Sequence, residues 1–66
     1  MPMEKLKAEI DAVLDSQYKS LSSEEREIVR DEAINMAGRF SANHPDGPEP
    51  LAFNCVLGGL KKLLRQ

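Results

Sequence analysis

The chain of 66 residues has few of the side chains that build small sites or cross-link small folds. It contains one cysteine and one histidine. A single thiol excludes an internal disulfide, and this pair of residues provides no cluster with the spacing of zinc ligands. Small domains without disulfides or metals are stabilised by oligomerisation or by regular helix packing. The sequence therefore predicts no metal and no cofactor, and it favours one of these two routes to stability.

The chain also lacks a large net charge and long apolar runs. Its formal net charge is −2, so we expect no electrostatic attraction to nucleic acid or to an anionic membrane surface. The longest apolar run, from Cys55 to Leu60, is far shorter than the roughly 20 residues that span a bilayer. The first residues mix charged and apolar side chains, unlike a signal peptide. We therefore expect a cytoplasmic protein that binds neither nucleic acid nor membrane.

Apolar spacing and capping residues predict two helices in the first two thirds of the chain. Apolar residues recur at three-four-three spacing near the start: Met3, Leu6, Ile10 and Val13. This spacing predicts a first helix over residues 3–20. Ser22 and Glu25 have the spacing of a capping box, in which each residue's side chain accepts a hydrogen bond from the other residue's backbone N–H. The capping box predicts a second helix over residues 22–42.

A proline- and glycine-rich stretch separates the second helix from a third. Residues 43–50 contain three prolines and a glycine, which are incompatible with a helix interior or a central strand. The third helix is predicted over residues 49–65, with Pro48 or Pro50 in its first turn. The whole chain, residues 1–66, is then one all-α domain. We predict a small three-helix bundle that is completed by self-association.

The third helix is apolar on nearly every side. From Leu51 to Leu60 it has one polar side chain, Asn54. A helix that is apolar all round is normally buried all round, and a chain of this size has little interior with which to surround it. Its main stripe contains most of the large residues: Phe53, Val56, Leu57, Leu60 and Leu64. We expect the first two helices to cover the first four of these.

The apolar residues outside that stripe form the predicted partner interface. They are Leu51, Ala52, Cys55 and Gly59, with Ile34 of the second helix as an outlying member. Adjacent glycines cost about 1 kcal/mol each relative to alanine in a helix. Either Gly58 and Gly59 let another backbone approach closely, or they bend or fray the helix. This surface predicts a protein–protein interaction module, either a homodimer or an adaptor or inhibitor that docks on a larger protein.

No group of side chains predicts catalysis. Apolar neighbours are expected to raise the pKa of the Cys55 thiol and make it unreactive. Acidic residues cluster on the second helix, but charge runs on a helix normally form a solvated face. His44, Asp46 and Glu49 do not match a metal-ligand pattern, and no glycine-rich phosphate loop is present. We therefore expect no catalytic residue and no enzymatic activity.

The tripeptide His44-Pro45-Asp46, placed between two helices, resembles the tripeptide of J-domain co-chaperones. The upstream segment from Ser23 to Ile28 also resembles the start of that family's second helix. The resemblance implies that His44, Pro45 and Asp46 stimulate a DnaK-type ATPase, which is the alternative function. The same residues also have a purely local explanation: His44 ends a helix, Pro45 blocks its continuation, and Asp46 leads into the next helix.

Overall fold

The computed structural model of the protein describes residues 2–65, with side chains from residue 4 onward. Three α-helices follow one another: α1 (Pro2–Gln17), α2 (Ser23–Asn43) and α3 (Ala52–Leu64). The described residues contain no strand, and all three helices pack against one another. The predicted all-α three-helix bundle is confirmed, whereas its completion by self-association stays a prediction. The side chain of Met3 lies outside the described part.

The connection between α1 and α2 is short and well ordered by hydrogen bonds. α1 ends at Gln17, earlier than predicted, and the Leu21 amide donates to the Tyr18 carbonyl at 3.3 Å in the turn that follows. The predicted capping box is confirmed. The Glu25 amide donates to the Ser22 hydroxyl at 3.2 Å, and the Ser22 amide donates to the Glu25 carboxylate at 2.9 Å. These bonds satisfy two donors that the start of a helix would otherwise leave free.

The connection between α2 and α3 begins at a well-defined helix end. His44 caps α2, its amide donating to the Phe40 carbonyl at 2.9 Å. α3 starts at Ala52, later than the predicted residue 49, with Leu51 in the cap position and no side-chain hydrogen bond there. The prolines of the loop therefore precede the helix and do not enter its first turn. The loop carries the chain across the end of the bundle, so that α3 packs along α2.

The core lies where the three helices meet, and it is entirely apolar. Its buried members are Leu6, Ile10, Leu14, Val29, Ala33, Ala37, Ala52, Cys55 and Val56. The contribution of α1 consists of large side chains, whereas α2 and α3 bury mainly small ones. α2 and α3 are also the most extensively packed pair of helices. This difference in side-chain size determines which side of α3 faces inward.

Candidate interaction surface

Gly59 packs closely against the backbone of α2. A Cβ atom at this position would lie 2.5 Å from the carbonyl oxygen of Val29 and 2.9 Å from its Cγ1 atom. Such distances are too short for real carbon atoms, so the contact depends on glycine. Of the two explanations for the glycine pair, close approach of a backbone therefore holds at Gly59. The approaching backbone belongs to α2 of the same chain, however, and not to a partner.

Three α3 residues of the predicted partner interface, Ala52, Cys55 and Gly59, are buried inside the bundle and are not exposed on the single chain. With Val56 they form what we call the inner face of α3. The small side chains of α2 give the reason. Ala33 and Ala37 are fully buried, and helices whose facing side chains are small can pack with their axes only about 8 Å apart. Small residues therefore line the buried side of α3, although Leu60 and Leu63 also pack against the core from its edge.

Four of the large apolar residues of α3 lie along another side of the helix, whereas Leu63 packs against the core. Phe53 is 42% exposed, Leu57 37% and Leu64 84%, while Leu60 is half-buried. Successive spacings of four, three and four residues place them along one side of the helix. We call these four residues the outer stripe. The predicted covering of the main stripe by the first two helices is therefore complete only at Val56, because Phe53 and Leu57 keep more than a third of their surface exposed.

Leu51 and Ile34, the other two predicted interface residues, have different surroundings. Leu51 is 66% exposed. It borders a cleft of about 150 Å³ whose lining residues are Met36, Phe40, Pro50, Leu51, Asn54 and Cys55. Ile34, the outlying member of the predicted interface, is half-buried and packs against the core. The structure thus leaves Leu51 accessible and makes Ile34 largely a packing residue.

Charge is unevenly distributed along α3 and the loop before it. Exposed acidic residues precede the helix and exposed basic residues end it: Asp46 and Glu49, then Lys61, Lys62 and Arg65. The ammonium nitrogen of Lys62 lies 3.7 Å from a carboxylate oxygen of Glu32 on α2, so Lys62 is directed towards α2. The basic end also complements the negative end of the helix dipole.

The residues considered for chemistry do not come together in one site within the described part of the chain. Burial raises the pKa of the Cys55 thiol, as the sequence predicted, and a buried neutral thiol is a poor nucleophile. Among residues 2–65, no three side chains of the histidine, cysteine, aspartate or glutamate type lie close enough together to hold a metal ion. The described part of the chain also contains no helix that combines the length and the apolar character needed to cross a membrane.

A second cleft, of about 240 Å³, lies between α1 and α2. Its lining residues are Asp11, Leu14, Ser23, Arg26, Glu27 and Arg30. The lining mixes both signs of charge, and Arg26 is already paired with Asp15 of α1. Within the described residues, no buried side-chain polar atom lacks a hydrogen-bond partner. This cleft therefore contains no group that points to a ligand.

The residues that resemble the J-domain tripeptide lie exposed in the loop between α2 and α3. The His44 ring stacks on the Phe40 ring, with centroids 4.2 Å apart and planes 13° from parallel. Its Nδ1 atom lies 3.1 Å from the Phe40 carbonyl oxygen, and the Gly47 amide donates to the His44 carbonyl at 3.0 Å. These contacts end α2 and form the turn that follows, without any partner.

Comparison with known proteins adds no relative: no family model, no curated protein and no solved structure matches the chain. The function has to be argued from the surface of the molecule itself.

Proposed function

We propose that the protein is a small helical interaction module that docks on another protein through the outer stripe of α3. The observation that carries the proposal is the orientation of this helix. Its small residues fill the core, while Phe53, Leu57 and Leu64 are left with large apolar areas in solvent. Isolated exposed apolar side chains are normal on any protein. Several of them along one side of a helix are typical of a surface that packs into a groove or against another helix.

The free energy available from the outer stripe sets the expected strength of the contact. Full burial of a large apolar side chain is worth about 1.5–3 kcal/mol. Phe53 and Leu57 are already more than half buried within the chain, so the stripe contributes on the order of 4–5 kcal/mol in total. This is near the lower end of the estimated cost of association. We therefore expect a reversible contact in which residues around the stripe also contribute.

Site-specific photo-crosslinking in the native host tests the proposal. A photoreactive amino acid is placed at Leu57, and a matched control carries it at Asp31, an exposed position on α2. We expect a protein adduct at position 57 and little or none at position 31. The mass of the adduct separates the candidate partners, because a second copy adds 7.4 kDa and a larger protein adds more. Equal adduct yields at the two positions would contradict a docking surface on α3.

A co-chaperone role for His44, Pro45 and Asp46 is the second candidate function. The observation in its favour is that the three residues are exposed between two helices that pack side by side. The charge on α2 is less favourable than in J-domains, whose second helix is rich in lysine and arginine, because Glu27 and Asp31 are interspersed with the basic residues.

An ATPase assay with a DnaK-type chaperone tests this second candidate. Wild type is compared with His44→Gln and with Asp46→Asn. The first substitution also removes the stacking on Phe40, whereas the second leaves that contact in place. A co-chaperone role predicts stimulation by wild type and its loss in both variants. Absence of stimulation by wild type would end this candidate.

A further inference from the structure

We infer that the partner of the outer stripe is a second copy of this chain, packed so that the two α3 helices run antiparallel. The inference rests on the proposed function of the outer stripe and names its partner. Three features of the molecule support it: the shape of the surface, its symmetry when paired with itself, and the distribution of charge along α3.

The outer stripe is the convex side of a helix and not a groove. Its natural counterpart is therefore another helix face of similar length, whose side chains fit between its own. Phe53 and Leu64 are eleven positions apart, which corresponds to about 16 Å along the helix axis. A second copy presents a face of the same length and the same apolar character.

A twofold axis that passes between Leu57 and Leu60 would pair the whole outer stripe of one copy with the outer stripe of the other. In this antiparallel register Phe53 lies opposite the partner's Leu64, and Leu57 lies opposite the partner's Leu60. Every large residue of the stripe then meets another large apolar residue. This is an isologous contact, the arrangement found in the commonest class of homo-oligomer.

The charges at the two ends of α3 favour the antiparallel arrangement over the parallel one. Glu49 precedes the helix and Arg65 follows it, and both are exposed. Antiparallel packing brings Arg65 near the partner's Glu49 at each end of the contact, so that opposite charges meet twice. Parallel packing would bring like charges together at both ends. Opposite charges at the rim of an interface select the correct orientation of the partner.

The size of the surface predicts a weak dimer. The monomer exposes 4663 Å², and a standard interface buries about 800 Å² on each partner, or roughly a sixth of that surface. One face of a thirteen-residue helix provides less than this. The contact therefore belongs with small, transient interfaces, and dimerisation is expected at concentrations of roughly tens of micromolar or above.

Sedimentation equilibrium of the purified protein, from about 5 to 500 μM, tests self-association in the range expected for a weak interface. We expect the average mass to rise above 7.4 kDa with concentration. In Leu57→Asp, which places a charge in the contact, the dissociation constant should increase at least about 10-fold. Circular dichroism checks that this variant is folded. A wild-type mass of one chain throughout the range would overturn the inference.

Charge reversal tests the antiparallel orientation. Glu49→Lys and Arg65→Glu, each alone, should weaken the dimer by about 2- to 30-fold, because two rim pairs are reversed per dimer. The double variant should recover most of the wild-type affinity, since opposite charges meet again. In a parallel dimer each of these residues faces its own copy, so the single variants would leave affinity unchanged. That result, or a double variant weaker than both single ones, would overturn the antiparallel arrangement.

Failure of this inference is distinguishable from failure of the proposed function. If purified protein stays monomeric while the crosslinker at Leu57 captures a different protein, the outer stripe is a docking surface and the second copy is the wrong partner. If the protein is monomeric and no specific adduct forms at position 57, both proposals are wrong.

Discussion

The inner face and the outer stripe of α3 are both apolar, yet the first is buried and the second is only partly covered. The inner face consists of Ala52, Cys55, Val56 and Gly59, and the outer stripe consists of larger leucine and phenylalanine residues. Hydrophobicity alone would have turned the outer stripe inward. The difference shows that side-chain size, set by how closely a neighbouring helix approaches, determines the orientation of this helix.

The close approach is a property of α2 and α3 together. Ala33 and Ala37 leave room on the buried side of α2, and Gly59 lets the backbone of α3 come within contact distance of Val29. Leucine or phenylalanine at the position of Gly59 would hold the helices apart and leave the alanines poorly packed. Dense packing along the whole contact between α2 and α3 therefore contributes more stabilising free energy than full burial of a few larger α3 side chains would.

The largest expected effect compares two neighbouring residues of α3, one on its inner face and one in its outer stripe. Val56 is fully buried and Leu57 is 37% exposed. Val56→Asp buries an unpaired carboxylate at a cost of several kcal/mol, which is comparable to the whole stability of a domain of this size. We expect this variant to be unfolded by circular dichroism at 25 °C. Leu57→Asp should melt cooperatively at low protein concentration, and its unfolding under the same conditions would contradict the assigned orientation.

The next largest effect comes from two glycine substitutions that change the free energy of unfolding in opposite directions. At Gly59 an added Cβ would meet the backbone of Val29, whereas at Gly38 it would meet nothing within 4 Å. Gly59→Ala should lower the free energy of unfolding by about 1–3 kcal/mol, because α2 and α3 must move apart. Gly38→Ala should raise it by about 0.5–1 kcal/mol through helix propensity. Urea denaturation measures both, and stabilisation by Gly59→Ala would show that the helices are not in close contact.

A smaller effect compares the starts of α2 and α3. Ser22 caps α2 through its side chain, while Leu51 occupies the cap position of α3 without such a bond. Ser22→Ala should reduce stability by about 0.5–2 kcal/mol, and Leu51→Ser should increase it by up to about 1 kcal/mol. Thermal melts of the two variants provide the measurement. A destabilised Leu51→Ser would show that this exposed leucine contributes packing that outweighs a cap.

The smallest effect concerns Cys55 on the inner face and its dependence on pH. Because burial raises the pKa of the thiol, the folded state holds this proton more tightly than the unfolded chain does. The stability from this difference is fully present below the unfolded pKa of about 8.5 and is lost as pH rises through the folded value. We expect the urea midpoint to fall more between pH 8 and 10 in wild type than in Cys55→Ala. Equal declines would contradict this role for the thiol.

Local sequence signals were sufficient to predict the helices and one of the caps. Ser22 and Glu25 act through their own neighbours, so their spacing alone indicates the start of α2. The facing side of α3 depends instead on what α2 presents to it. The alanines of α2 and Gly59 of α3 are complementary only once the two helices are placed together. A ranking of the α3 residues by hydrophobicity gives the small residues too little weight. The sequence did contain a signal for this packing: alanines at positions 33 and 37 of the second helix and a glycine pair in the third.

The most direct test of the orientation of α3 is the rate at which thiols on its inner face and in its outer stripe react with a thiol-modifying reagent. The measurement is made at about 5 μM protein, where the weak dimer expected for a small interface is largely dissociated. Native Cys55 is compared with the Leu57→Cys thiol in a Cys55→Ala background. We predict that the thiol at position 57 reacts nearly as fast as a free thiol. Cys55 should react at least about 100-fold more slowly, because the reagent reaches it only when the bundle opens. Equal rates at the two positions in the folded protein would contradict this orientation of α3.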